Sequence, residues 1–348
     1  MTAPAPKVVV AAGGRVYTLD TSDRSLHPGT GLTARRPSCL AADPRPGGPV
    51  WCGSEDDGLF RSDDGGRSWT AAGLPGEHVT AVAVTPSRPD RVWAGTEPSA
   101  VWRSEDAGGS WERCEGLLEL PSAPEWSFPP KPETHHVRWI ACHPEDADTA
   151  WFAIEAGALV STRDAGRSWT DRVAGGPYDT HELSIHPAEP DRLRVAAGDG
   201  YFESRDGGRS WTSPEAGLEV TYLRSVAVAP GDPSVVVVSA SSGPRTAYVA
   251  GHADGRLYRR VGDGRWAGID IGGPEEAATI APLLTAETTT GWLLAADERG
   301  VHRSLDAGRS WERLAALPER VDRLRGLIVT RPPGAQVQSS APRAATSS

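Results

Sequence analysis

The sequence predicts an all-β fold: a seven-bladed β-propeller of four-stranded antiparallel blades, its ring closed by pairing of the N- and C-terminal strands. Three observations predict it. An octapeptide of the form [Ser/Thr]-x-Asp-x-Gly-x-Ser-Trp recurs five times, at 62–69, 104–111, 162–169, 204–211 and 304–311, and a short motif at blade-length spacing marks a repeat architecture. Counted on the tryptophan, with the degenerate Val261-Gly262-Asp263-Gly264-Arg265-Trp266 included, the steps are 42, 58, 42, 55 and 45 residues, enough for one small sheet and its turns. Finally, Lys7 to Asp20 resembles two middle strands without an inner one, and Arg323 to Thr330 an inner strand without a blade.

Each blade is expected to open with an inner strand, at 38–42, 80–85, 137–143, 182–186, 223–229 and 279–284. A second strand follows, often begun by tryptophan (Trp51, Trp93, Trp151, Trp292). The third strand precedes the octapeptide and the fourth starts at its tryptophan. The two terminal fragments then make the seventh blade together, which removes exposed sheet edges. Residues 7–331 read as a single propeller domain, and the Ala-, Ser- and Pro-rich 332–348 as a disordered tail.

The formal net charge of −10 argues against nucleic-acid and anionic-membrane partners, which need a basic field. No apolar stretch approaches membrane-spanning length, and Met1 to Gly14 lacks the charged and apolar regions of a secretion signal. A cytoplasmic monomer is expected. The four cysteines, Cys39, Cys52, Cys114 and Cys142, lack the paired spacing of a zinc site and are expected as free buried thiols.

In the octapeptide, a carboxylate placed in a hairpin can accept backbone N–H groups while two glycine positions permit left-handed backbone. This is the Asp-box, and the chain resembles Asp-box (BNR) repeat propellers over residues 8 to 330. These include sialidases, sortilin-type receptors, xyloglucanase-type glycosidases, photosystem II assembly factors and bacterial single-domain BNR-like repeat proteins. The resemblance implies that Asp64, Asp106, Asp164, Asp206 and Asp306 are structural, on the outer rim. It also limits the activity. No Arg-Ile-Pro-type motif appears, and seven blades exceed the six usual in sialidases, so sialidase activity is not expected. Xyloglucanase-type enzymes use two propellers around a cleft, and one is read here. Repeat architecture specifies the fold better than the function.

Ligands of propellers enter at the channel mouth, where the links between blades and the turns between second and third strands converge. The links contribute Glu77-His78, Glu133 to His136, Tyr178 to Glu182, Glu219 with Tyr222, and Glu275-Glu276; the turns contribute Glu55, Glu97, Glu155, Asp199 and Asp297-Glu298. Four of these acids, Glu55, Glu97, Glu155 and Asp199, follow Trp51, Trp93, Trp151 and Val195 by four residues, so they occupy equivalent places around the ring. Two insertions account for the longest steps. One, Glu115 to Thr134, carries Trp126 and Phe128; the other, Ser241 to Asp254, carries Arg245, Tyr248 and His252. Together they suit a lid over a polar pocket.

Candidate catalytic residues are therefore His136, His181, Glu155 and Arg245: a histidine paired with Glu155 for proton transfer, and Arg245 for an anionic group. Candidate ligand-binding residues are His135, Glu133, Glu182, Trp126, Tyr248 and His78. A divalent metal on His136, His181 and Glu155 is the one cofactor these residue types suit, although no compact motif encodes it. Two functions follow. The first is binding, with hydrolase- or lyase-type processing, of a small polar or carbohydrate-like ligand. The second is a non-catalytic scaffold for a protein partner, as in the photosystem assembly factors.

Overall fold

The computed structural model describes residues 5–32, 36–271, 279–318, 321 and 323–334. Seven antiparallel sheets follow one another around an axis. Blade one comprises Pro37–Ala42, Val50–Ser54, Leu59–Ser62 and Thr70–Ala71, and blade two His78–Val84, Val92–Glu97, Val101–Ser104 and Glu112–Cys114. Blade three has Val137–Cys142, Ala150–Ile154 and Ala158–Thr162; blade four has Thr180–His186, Glu189–Ala197 and Gly200–Ser204. In these two the fourth strand shrinks to a single bridge, Ser161 with Thr170 and Glu203 with Thr212. Blade five is Tyr222–Val228, Val235–Ser241, Arg256–Val261 and Ala267–Ile269; blade six is Leu283–Glu287, Trp292–Ala296, Gly300–Ser304 and Glu312–Ala316.

Blade seven joins the chain ends. Leu324–Thr330 pairs antiparallel with Lys7–Ala12, from Lys7 opposite Thr330 to Ala12 opposite Leu324, and Arg15–Asp20 and Ser25–Pro28 complete the sheet. The last strand is one more than the sequence showed. Inner strands were placed within two residues except in blade six, where the strand starts at Leu283 and not 279, because Pro282 has no N–H to give to a ladder. Glu275-Glu276 and most of the proposed tail, 335–348, lie outside the described residues. No helix is long and apolar enough to cross a membrane among the described residues.

Four of the five octapeptide turns repeat one another bond for bond, while in the fifth the N–H of Gly109 goes to the Asp106 carbonyl and not to its carboxylate. Asp64 Oδ1 accepts the backbone N–H of Arg67 and of Ser68, each at 2.9 Å, while the Ser62 hydroxyl donates to the carboxylate and accepts the N–H of Gly66. Asp164, Asp206 and Asp306 do the same. The second glycine position is left-handed and crowded: a Cβ on Gly308 would stand 2.7 Å from Val237. The first is also left-handed, yet in three turns it is alanine, Ala107, Ala165 and Ala307. Each tryptophan then lies against the preceding blade; Trp169 Nε1 donates to Glu115 and Trp266 Nε1 to Pro214. Apolar side chains sandwiched between neighbouring sheets make the core, as where Trp93 and Phe152 meet edge to face at 5.3 Å. All four cysteines are free; Cys39, Cys52 and Cys114 are buried and Cys142 partly so.

Six inner strands carry one unpaired extra residue near their starts: Ser38, Thr80, Arg138, His181, Arg224 and Arg325. Such a bulge re-aims a side chain. All six line the axial cavity, of about 280 Å³. Four reach into the next blade and bond a main-chain carbonyl there: Ser38 to Val79, Thr80 to Val137 at 2.7 Å, His181 to Leu223, and Arg224 to Ala281 and, across one blade, Leu324. Between blades three and four this stitch is made one residue later, by Trp139 Nε1 to Leu183 at 3.1 Å, so Arg138 is left over.

Candidate functional site

The four equivalent acids sit as the spacing predicts, each reaching the segment that leads into its own blade's inner strand. Glu55 meets Arg36 at 3.1 Å and Arg325 at 3.4 Å; Glu97 meets His78 at 3.4 Å and Lys131 at 3.0 Å. Asp199 accepts the backbone N–H groups of Tyr178 and Asp179. Glu155 differs because histidines surround it. His136 Nε2 lies 2.8 Å from Glu155 Oε2, Arg138 Nε 3.3 Å from the same oxygen, and His181 Nε2 3.9 Å from Oε1.

Burial alone would raise the Glu155 carboxyl, but Arg138 and the bond and charge of His136, aided by His181, hold it down at about 2. Asp179 completes the group. Its Oδ2 is 3.7 Å from His181 Nε2, and its Oδ1 accepts the N–H of Ala156. Burial raises the Asp179 carboxyl, and Glu155 adds to that by repulsion. Tyr222 closes the far side, its hydroxyl 3.4 Å from His181 Nε2 and its ring 6.3 Å from that of Tyr248.

Below this cluster the cavity wall holds Arg138, Glu182 and Arg224. Arg224 lies under Tyr248 at 4.7 Å, and burial brings its guanidinium down to about 10, with Arg138 and Arg325 nearby adding to the shift. The Glu182 carboxyl is pushed up to about 8 by burial, against a hydrogen bond from Ser225. Near neutrality it is a mostly uncharged acid, so the wall is net positive. The Tyr248 hydroxyl is buried, with the Arg138 guanidinium and the Tyr222 hydroxyl beside it. Within this region Glu155, Asp179 and His181 present three donor atoms within 4.8 Å of one another, a set able to hold a metal ion.

Of the residues singled out from sequence, His136, His181, Glu155, Glu182 and Tyr248 come together. Arg245 does not: it is exposed, with its guanidinium 2.7 Å from His252 Nε2, and Arg138 and Arg224 occupy the place expected of it. Glu133 is exposed. His78 belongs to the Glu97 pair, and burial lowers its pKa. The first insertion is a packed wall, not a lid. Trp126 is 5% exposed, bonded through Nε1 to Ser122 and set edge-on to His135, while Phe128 lies edge-on to His136 at 4.8 Å. The metal-capable set contains Asp179 in place of His136.

Sequence reasoning also passed over Arg138, Arg224 and Arg325. A single arginine inside an otherwise apolar inner strand, as in Val137-Arg138-Trp139 or Leu223-Arg224-Ser225, was the available signal.

No protein-family model and no curated protein matches the sequence. Solved structures do match in fold. The GH74 xyloglucanase from Xanthomonas campestris superposes with a TM-score of 0.68 at 17% identity, covering 90% of this chain and 54% of that one. The GH74 enzyme from Niastella koreensis gives 0.66 at 14%, covering 89% and 54%. YCF48 bound to a D1 peptide gives 0.55 at 17%, covering 80% of this chain and 81% of the other. The chain thus spans about half the length of these GH74 enzymes. At such identities the likeness is one of fold: this chain is a seven-bladed propeller similar to carbohydrate-active and peptide-binding ones.

Proposed function

We propose that the channel mouth binds a small polar ligand bearing an anionic group, of the carboxylated or phosphorylated sugar kind, and acts on it by proton transfer. The observation that carries this reading is Arg138. Buried guanidinium groups are normally consumed by ion pairs or carbonyls, and the neighbouring Arg224 is stapled to two. Arg138 has the side of one carboxylate, Glu155, and the Tyr248 hydroxyl beside it, and the stitch that its position makes in other blades is taken over by Trp139. Its remaining donors suit a carboxylate or phosphate. Tyr222 and Tyr248 offer aromatic faces for the body of such a ligand.

Proton transfer would fall to His136. Its Nε2–H donates to the Glu155 carboxylate, which orients the imidazole and leaves Nδ1, without a hydrogen-bond partner among the described residues, as the nitrogen able to accept a proton. A ligand proton accepted at Nδ1 would leave the positive imidazolium beside Glu155, and the anion being formed beside Arg138. Hydrolase- and lyase-type reactions both use these steps.

Calorimetry of the full chain against hexuronic acids and hexose phosphates tests the reading. Binding that falls at least tenfold in Arg138→Ala, with the melting temperature kept, supports it. If no such compound binds while a peptide or protein does, and Arg138→Ala leaves that intact, the scaffold reading replaces it. That reading draws on YCF48, a propeller of similar fold that carries a peptide.

A further inference from the structure

Three side chains from two adjacent blades aim one atom each at a common point, and the second atom of every one is already engaged. Glu155 turns Oε2 to His136 and Arg138 and leaves Oε1. Asp179 gives Oδ1 to the N–H of Ala156 and leaves Oδ2. His181 donates Nδ1–H to the Leu223 carbonyl, so Nε2 is the nitrogen with a lone pair to offer. We infer that Glu155, Asp179 and His181 bind a divalent first-row transition cation, zinc or manganese.

The outer contacts are those that orient metal ligands. An imidazole whose far nitrogen bonds a carbonyl has its tautomer and ring plane fixed, and a carboxylate with one oxygen tied presents the other in a fixed direction. The near atoms are too far apart to satisfy one another. His181 Nε2 stands 3.9 Å from Glu155 Oε1 and 3.7 Å from Asp179 Oδ2, beyond hydrogen-bond reach, and its one remaining contact is the long 3.4 Å approach of the Tyr222 hydroxyl. His181 itself is 1% exposed. Two ligands on a common ion with bonds of about 2.1 Å are at most about 4.2 Å apart, so both separations fit across one centre. A contraction of well under ~1 Å brings in the third pair, for which the limit is 4.8 Å.

One imidazole and two carboxylates suit zinc and manganese better than a soft ion, and three protein ligands leave positions open for water or a ligand. The −2 charge of the carboxylates offsets that of the ion, while Arg138 stays on the outer oxygen of Glu155. The inference shares the mouth with the proposed anion site but does not depend on it.

The full chain, stripped with EDTA and dialysed, is titrated with zinc chloride and separately with manganese chloride, with no other ligand present. The expected result is one ion per chain, with a spin-echo spectrum of the manganese form showing a single histidine nitrogen. Asp179→Asn should weaken binding at least tenfold with its circular dichroism unchanged. Arg138→Ala should keep the ion, so loss of the anionic ligand in that variant and loss of the metal in Asp179→Asn report on separate claims. A folded wild-type chain that takes up no stoichiometric ion overturns the inference, and so does a manganese spectrum without histidine coupling. Equal affinity in wild type and Asp179→Asn does the same. If Asp179→Asn fails to fold, the wild-type titration and spectrum decide alone.

Discussion

Glu203 of blade four and Arg260 of blade five form an ion pair inside the protein, both almost wholly buried. Tyr201 donates its hydroxyl to the same carboxylate at 3.1 Å, Arg192 reaches it at 2.7 Å, and the Arg260 guanidinium lies 4.9 Å from the centre of each ring of the T-shaped Tyr201–Trp266 pair. Removing one partner strands a buried charge, which typically costs about 3–5 kcal/mol, whereas replacing both with apolar groups costs far less. Glu203→Leu should therefore lower the urea midpoint sharply. Glu203→Leu with Arg260→Met should recover most of the loss, and equal midpoints for the single and double variants would contradict this.

The octapeptide carboxylates make stability depend on acid. Hydrogen bonds from Ser168 and Ser210 lead in holding Asp164 and Asp206 at about 2, and for Asp306 such bonds outweigh burial to the same end. An unfolded aspartate titrates near ~3.9. Folded values lie below unfolded ones, so their contribution is whole above about pH 4 and is lost as pH falls towards about 2. Melting temperature followed from pH 6 to 2 should drop steeply in the wild type. A triple Asp→Asn variant at these positions should start lower and drop less.

Alanine in a left-handed turn position carries a strain of about 1 kcal/mol that glycine avoids. Ala107, at φ 55° and only partly buried, offers the cleanest case. Ala107→Gly should raise the melting temperature by a degree or more, although glycine is usually the destabilising choice. A lowered value would show that the alanine methyl packs usefully there.

Trp126 separates a wall from a lid. Its indole is buried beneath Gly157 and beside His135. Trp126→Ala should lose about 3–5 kcal/mol, as large core truncations do, measured by urea unfolding. A movable lid would instead leave stability intact and change ligand association alone.

The pairing of Leu324–Thr330 with Lys7–Ala12 covers what would otherwise be the exposed inner edge of Lys7–Ala12. A chain ending at Arg323 should expose the Val8-Val9-Val10 edge and elute as aggregates in size-exclusion chromatography. A monodisperse monomer from that truncation would mean the ring does not need this strand.

The architecture was readable because it is periodic: a turn that requires aspartate, glycine and tryptophan at fixed offsets leaves those letters wherever it occurs. Equivalent acids were readable for the same reason, since Glu55, Glu97, Glu155 and Asp199 share one offset from the second strand. The chemistry of the mouth was only half visible. His136, His181 and Glu155 stood out by type, but Arg138 and Arg224 hide within apolar strands and turn inward because a bulge redirects them, a backbone event with no residue signature here. Arg245 lies apart from the cluster, and an exposed loop arginine and a site arginine look alike in sequence. Trp126 is buried, and aromatic residues in an insertion suit a flap and a core equally.

The stitches around the axis run from side chain to main chain. Serine, threonine, histidine and arginine all make that same reach, and the carbonyl that receives it is indifferent to what its own residue carries. One position can therefore change identity without its neighbour changing in step. A scaffold with near-sevenfold regularity thereby tolerates a lopsided interior, in which acid, imidazole and the Arg138 guanidinium gather on one arc, and selection can recompose the interior one blade at a time.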